Sequence, residues 1–427
     1  MSRRPTTLDF PTATPDARGQ PPTAPRSSGT FAAFEVPGYG RLWASGLFWN
    51  LTRWMSIFVC TYMVNQITGS PLLVQLVGSA LFIPMFVGGA LGGVLSDRFD
   101  RKRSILFQLV MLAPCALLMG IVVLSGAEQA WMVYPFILLI GIGQMVDMTV
   151  RRAMIFDFVG ESRVTNALAI EALSMTGGNM LGGVSAGATV SLLGIGETFL
   201  IVSACYVVAF MLLVGVLTPR REVPVSKKKL SIASELAAGF RYVAGHPTLI
   251  SLLGVTAIMN MFYFSFIPMV PVFAERLEVN ALLAGVLAGS NAFGSMIGTL
   301  AIARGMRFGR GAIYVGGSFI MLVFMLVFAA SNSYPLALLG MVLAGSGTAG
   351  FGTMQSVLVM VESSPEMRGR AMGILSMAIG ALPFSMFFLG LVAEVTGPST
   401  ALLGSVVLGV ITLSLWTIWR PQAAKAV

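Results

Sequence analysis

The sequence predicts an all-α polytopic membrane protein, with twelve transmembrane helices in two pseudo-symmetric six-helix bundles. Three observations carry this. Of 427 residues, 56% are hydrophobic and only 11% are charged, and the mean hydropathy is +0.84. A soluble chain carries roughly a quarter charged residues. From Arg41 onward, apolar stretches of about twenty residues recur, each long enough to cross a bilayer as a helix. When these stretches are threaded alternately across a membrane, 25 of the 27 Lys and Arg fall on one side.

The elements follow in order. Residues 1–40 form a tail whose first 35 positions are rich in Pro, Thr, Ser and Arg, the composition of a disordered segment. No apolar run follows Arg3 and Arg4, so no cleaved signal peptide is expected. The first bundle, 41–218, holds spans at 42–67, 70–95, 104–124, 131–152, 165–193 and 197–218. "TGSP", "SGAEQ" and "GIGE" mark its polar breaks, and charged loops separate the other spans. The second bundle, 247–420, holds spans at 248–274, 281–303, 311–331, 335–361, 371–395 and 399–419. Its breaks include "SNSYP" and "EVTGPS". Every span is read as a helix, because a helix satisfies its own backbone hydrogen bonds inside lipid. Residues 421–427 form a second tail.

Between the bundles lies a basic linker, 219–246. Leu236, Phe240 and Val243 fall at i, i+4 and i+7, which predicts a short amphipathic helix on the inner membrane surface. The two halves are weakly similar. "ALSMTGG" at 172–178 is matched by "ILSMAIG" at 374–380, and "GTLAIARGMRFGR" at 298–310 echoes the glycine and trailing bases of "GGVLSDRFDRKRS" at 92–104. A repeat near half the chain length implies two bundles related by a pseudo-twofold axis along the membrane normal.

The charge pattern sets orientation and excludes some functions. Only Arg276 falls on the opposite side, and Arg53 lies within the first span. Positive-inside bias then puts both termini in the cytoplasm of a bacterial-type plasma membrane. Because the bases alternate with spans, membrane lipids are their natural contact and nucleic acid is not. Cys60, Cys115 and Cys205 lie in apolar stretches without metal-ligand spacing, and His246 stands alone after the linker. No metal, cofactor or enzymatic nucleophile–base pair is expected. "GSGTAG" at 345–350 matches a nucleotide-binding pattern, but no strand precedes it. The absence of G-x-x-x-x-G-K-[ST] disfavours an ATP-driven pump.

The loop at 92–104 carries Gly93, Asp97, Arg98, Asp100, Arg101 and Lys102. This resembles the signature G-x-x-x-D-R/K-x-G-R/K-R/K of the major facilitator superfamily, with Asp100 where the signature has glycine. That variant, with the stretch 145–169, is similar to the enterobactin-exporter-like branch of drug:proton antiporters. The resemblance covers residues 40–420. It implies the major facilitator fold and secondary active transport by alternating access, with the proton gradient as driving force. It also implies a cytoplasmic latch formed by Gly93, Asp97, Arg98, Arg101 and Lys102. The alternative is an ordinary positive-inside loop. Gly178, Gly182 and Gly183 resemble the exporter motif G-P-x-x-G-G, with Asn179 replacing the proline; generic helix packing explains these glycines equally well.

In this superfamily the first, fourth, seventh and tenth spans line a central cavity. The resemblance therefore selects Asn50, Arg53, Asp147, Asn260, Tyr263 and Gln355 as cavity candidates. Proton coupling falls to Asp147, Arg53 and Glu171. Arg53 lies twelve residues beyond Arg41, about 18 Å up the first span. Unpaired there, it costs at least about 2.5–3.5 kcal/mol on insertion scales, so a partner is expected. Helical side chains lean toward their own N-terminus, which favours Asp147 over Glu171 as the partner, and as the proton carrier if protonation releases Arg53. A local Asp147–Arg151 pair at i, i+4, or an anionic substrate, are the alternatives. The expected function is proton-coupled efflux of an amphipathic or aromatic small molecule, drug-like or siderophore-like, by a monomer. Uptake of a nutrient or metal-chelate is the first alternative. A non-transporting membrane sensor or assembly factor is the second.

Overall fold

The computed structural model describes residues 31–88, 100–216, 232–304 and 308–426. Gly93, Asp97 and Arg98 lie outside these residues. Among the described residues every regular element is helical. The first half contributes α1 (Tyr39–Thr68), α2 (Pro71–Gly88), α3 (Arg101–Leu124), α4 (Ala130–Gly160), α5 (161–192) and α6 (Ile195–Val214). A short helix α7 (Ile232–Ala244) follows. The second half contributes α8 (Pro247–Arg276), α9 (Ala281–Ala303), α10 (Arg310–Ala330), α11 (Tyr334–Val361), α12 (Arg368–Thr396) and α13 (Pro398–Trp419).

Nine helices among the described residues are long and apolar enough to cross a membrane. The other three of the twelve spans are α1, α2 and α5. Arg41, Asn50, Arg53 and Asn65 dilute the hydropathy of α1, and Glu161, Arg163, Asn166 and Glu171 dilute that of α5. The described part of α2 ends at Gly88.

The helix ends obey local chemistry. Gly69, at φ 59°, closes α1, its N–H bonding the Asn65 carbonyl. The Asp100 carboxylate caps α3 by accepting from the Arg103 N–H at 2.8 Å. Asn280 caps α9 in the same way, through the Leu283 N–H at 3.0 Å. Between α4 and α5 the chain remains hydrogen-bonded but turns at Gly160, whose φ of 67° and ψ of 178° lie outside the helical region. Glycine reaches that geometry without a Cβ penalty.

One apolar core gathers residues such as Trp49, Leu109, Phe136, Phe199 and Tyr206 from α1 to α6. A second gathers Leu249, Tyr263, Tyr314, Leu358 and Leu402 from the later helices. Val272, Ala274 and Ala284 of the second half join the first core, so the halves meet there. Helix α7 leans on α12, with Gly239 against Ile374 and Arg370 and with Val243 buried. The Tyr242 hydroxyl accepts from the Ser364 N–H at 3.0 Å. Phe240 is half exposed, so the predicted apolar stripe divides: Val243 faces the protein and Phe240 faces away.

Candidate transport site

Two of the cavities among the described residues differ in chemistry. The smaller, about 40 Å³, lies within the first half and is lined by Trp49, Asn50, Arg53, Gln144, Asp147, Met148, Arg151, Arg152, Glu171 and Met175. It brings together Arg53, Asp147 and Glu171, the three residues expected to carry coupling. Room exists for the charged groups because Gly46 of α1 lacks a side chain. A Cβ there would sit 3.2 Å from the Arg151 guanidinium and 3.4 Å from Glu171 Oε1.

The pairing differs from the favoured expectation. Asp147 pairs with Arg151, not with Arg53. Arg151 Nε donates to Asp147 Oδ1 at 2.9 Å and to Oδ2 at 3.0 Å, and Nη2 donates to Oδ1 at 2.6 Å. Its Nη1 also donates to the Leu42 carbonyl at 3.2 Å, tying α4 to α1. The cause is helical. Arg151 leans toward its N-terminus, onto the residue four positions before it. Both residues are buried, so a bidentate charge-assisted pair offsets their desolvation.

Arg53 is left without an ion pair among the described residues. Its guanidinium lies 5.1 Å from the centre of the Trp54 ring, and its buried Nε has no hydrogen-bond partner. Glu171 is also buried, and its Oε2 is unpartnered, as is Gln144 Oε1. A polar cavity of this size admits water, which such groups need. Asn50 donates to the Gly46 carbonyl at 3.0 Å and to Ser174 Oγ at 3.4 Å.

The larger cavity, about 220 Å³, lies between the halves. Trp54, Phe58, Tyr263, Phe264 and Phe266 wall it, while Thr61, Asn179, Asn291 and Thr348 supply its polar groups. Tyr263, a predicted cavity residue, is held by Asn291, whose Nδ2 donates to the phenol oxygen at 2.7 Å. Here α8 leaves regular α-helix: residues Phe264–Met269 are a 3-10 segment containing Pro268. Asn260 and Gln355 line neither cavity. Asn260 Nδ2 bonds the Thr256 carbonyl at 2.9 Å, and Gln355 Nε2 bonds Thr256 Oγ1 at 3.1 Å, inside the second half.

The halves close on each other at the end where α1 finishes and α2 begins. There Asn65 Nδ2 donates to Glu275 Oε2, and Ser70 Oγ and the Leu72 N–H donate to Glu394 Oε2 at 2.8 and 3.1 Å. Deeper in the same seam, Gln75 Nε2 donates to the Ser265 carbonyl at 2.8 Å and Ser79 Oγ to the Pro383 carbonyl at 2.9 Å. Helices α5 and α9 meet glycine to glycine. A Cβ at Gly187 or Gly285 would overlap the Ala281 or Gly183 carbonyl of the facing helix. Of the predicted packing glycines, Gly183 faces α9, while Gly178 and Gly182 face α1.

At the opposite, charged end, the described residues show no hydrogen bond between the halves. Arg101 pairs with Asp157 at 2.5 Å and donates to the Ala153 carbonyl at 3.0 Å. Lys102 Nζ donates to the carbonyls of Val214 and Val216 at 3.0 and 2.7 Å. Both basic residues thus bind within the first half. Asp157, Glu275 and Glu394 were missed as functional candidates in the sequence, because each stands at or near the end of a span, where an acid reads as a solvated flank.

The family model for the transmembrane secretion effectors, MFS_3, matches residues 28–426. The chain belongs to this family of major facilitator transporters. Its fold is shared with solved transporters. A bacterial homolog of the human lysosomal transporter Spinster, inward-facing and unoccupied, matches with a TM-score of 0.69 at 18% identity, covering 91% of this chain and 98% of that one. The nucleoside transporter NupG gives 0.66 at 19%, covering 90% and 98%. A D-xylose-proton symporter gives 0.68 at 16%, covering 92% and 99%. No curated protein matches the sequence. The chain is thus an integral membrane transporter and not an enzyme.

Proposed function

We propose that this transporter works by alternating access and couples the export of an aromatic or amphipathic small molecule to proton entry, as in the enterobactin-exporter-like antiporters. The observation that carries this reading is the separation of the two cavities. The aromatic one lies between the halves, where alternate closure of the two ends exposes it to each side in turn. The charged one lies beside it in the first half, with an acid free to change protonation.

Glu171 is the proton carrier in this reading. Asp147 is neutralised by its bidentate arginine. Glu171 is buried with an unbonded oxygen, and burying an unpaired carboxylate is costly. Protonation removes that cost, and release of the proton restores it. A group whose burial costs depend on its proton is suited to biasing one conformation over another. Arg151, Asp147 and Arg152 are the charged neighbours of Glu171. We take the charged end to face the cytoplasm, as positive-inside bias favours. The seam at Glu275 and Glu394 is then extracellular, and the structure is a state closed to the outside. The family description, transmembrane secretion effector, supports export.

The test is accumulation of a panel of aromatic compounds in cells lacking their own exporters, with and without a protonophore. Lowered accumulation that the protonophore abolishes supports export. Raised accumulation supports the second reading, proton-coupled uptake, which the likeness to a D-xylose-proton symporter favours.

A further inference from the structure

The charged cavity sets the guanidinium groups of Arg53, Arg151 and Arg152 against only the carboxylates of Asp147 and Glu171. Asp147 is engaged by Arg151. Even with both acids ionised, a positive charge is left over. Arg152 is exposed, so water screens it. Arg53 has no such relief. It is only 7% exposed and has no carboxylate within ion-pairing distance among the described residues. Its Nε is sealed from the cavity, but its two terminal nitrogens are not, and neither donates a hydrogen bond. The Trp54 ring at 5.1 Å attracts the guanidinium without neutralising it. A guanidinium does not shed its proton in a protein, so a counter-charge has to come from elsewhere.

We propose that this pocket binds a small monovalent anion of the size of chloride, held by the terminal N–H groups of Arg53. The inference goes beyond the transport reading, and only its link to the proton on Glu171 rests on that reading. A cavity of about 40 Å³ takes one such ion with its immediate waters. It does not take an aromatic cargo, so the ion is a free one and not a carboxylate of the substrate. Gln144 lines the same pocket, and its amide makes no hydrogen bond, so its NH2 group can turn to the ion. Glu171 lines it too. Its carboxylate repels the ion, and its protonated form does not and offers an O–H donor. Anion and proton therefore bind together, each raising the affinity for the other. The other groups that face this pair are Asp147, Arg151 and Arg152 from α4, Tyr39 of α1 beside Glu171, and Tyr206 of α6 beside Arg53. The paired acid, the arginines and the phenols keep their charge between about pH 5.5 and 8.5, which leaves Glu171 as the group that changes.

The test uses the full-length protein in detergent. Its melting is followed as chloride replaces gluconate at constant ionic strength. Chloride is expected to raise the melting temperature saturably, as a ligand of the folded state does. Arg53→Gln, which removes the charge, abolishes the rise, and Arg53→Lys, which keeps it, retains part. In the parent protein the half-saturating chloride concentration falls about fivefold or more from about pH 8.5 to 5.5. In Glu171→Gln it stays at the low value throughout. No rise specific to chloride, or an equal rise in Arg53→Gln, overturns the site. A half-saturating concentration that is the same at both pH values overturns the link to Glu171. Accumulation of the aromatic panel that no protonophore changes sinks the transport reading without touching chloride binding, so the two fail separately.

Discussion

The Glu394 carboxylate, on the second half of the chain, accepts the Ser70 hydroxyl and the Leu72 N–H at the first turn of α2, on the first half. It is a helix cap supplied across the interface. A carboxylate at a helix N-terminus meets free N–H groups and the positive end of the helix dipole. The contact exists only while this end is closed. Glu394→Ala is expected to raise the population open at this end. An exposed cap of this kind is worth about 0.3–1 kcal/mol. A cysteine at position 79, in a cysteine-free background, is buried in the same seam. Its reaction with a thiol reagent is expected to speed up about two- to fivefold on Glu394→Ala. An unchanged rate means the cap does not hold the seam.

Asp147 and Arg151 are buried partners joined by three hydrogen bonds. Breaking such a pair strands a charge and costs about 3–5 kcal/mol. Asp147→Ala is therefore expected to lower thermal stability strongly in detergent, and Asp147→Ala with Arg151→Ala to recover part of the loss. Double-mutant cycles on stability separate this pair from the predicted one. Strong coupling is expected for Asp147 with Arg151, and near-additivity for Asp147 with Arg53. Coupling of equal size in both cycles contradicts the geometry.

Glu171→Gln removes the charge and keeps the shape. In reconstituted vesicles it is expected to retain substrate exchange at equal pH and to lose acceleration by a pH gradient. Asp147 does not act as carrier in this scheme, so Asp147→Asn reduces exchange and gradient-driven transport together. A Glu171→Gln protein that still responds fully to the gradient moves the coupling elsewhere.

The twelve-span fold was legible because length and apolarity are dictated by the bilayer, and the breaks at Gly69, Gly126 and Gly194 are local chemistry. The charged pocket was half legible. The sequence placed Arg53, Asp147 and Glu171 at similar depth, and they do share one cavity. The partner actually chosen, Arg151, was present only as the i, i+4 alternative; what no spacing rule reveals is that Gly46 and the Leu42 carbonyl of α1 receive its guanidinium. Asn260 and Gln355 were chosen for lying on cavity-lining spans, but a span has two faces, and theirs turn toward Thr256. Gly187 and Gly285 went unnoticed because a glycine's role in a close approach is set by the facing helix.

The loop before α3 offers the last test, since its residues divide between two roles. Arg101 and Lys102 are struts of the first half: one holds Asp157 at the end of α4, the other the last carbonyls of α6. Lys102 at a helix C-terminus also sits favourably against its dipole. Removing Arg101 is expected to loosen the bundle without favouring either conformation. Asp97, by contrast, is read as the latch residue that releases between states. Arg101→Ala is therefore expected to lower the melting temperature of the protein by a few degrees, the worth of about 1 kcal/mol, with little change in the balance of open states. Asp97→Asn is expected to leave melting near normal and to shift that balance by about 1–3 kcal/mol, the usual range of coupling between sites, with transport falling accordingly. Thiol accessibility from the two sides of the membrane reports the balance, and melting in detergent reports the struts. If Asp97→Asn transports like the parent protein, the loop serves topology alone, and Arg101 and Lys102 need no partner beyond the carbonyls and Asp157 they already hold.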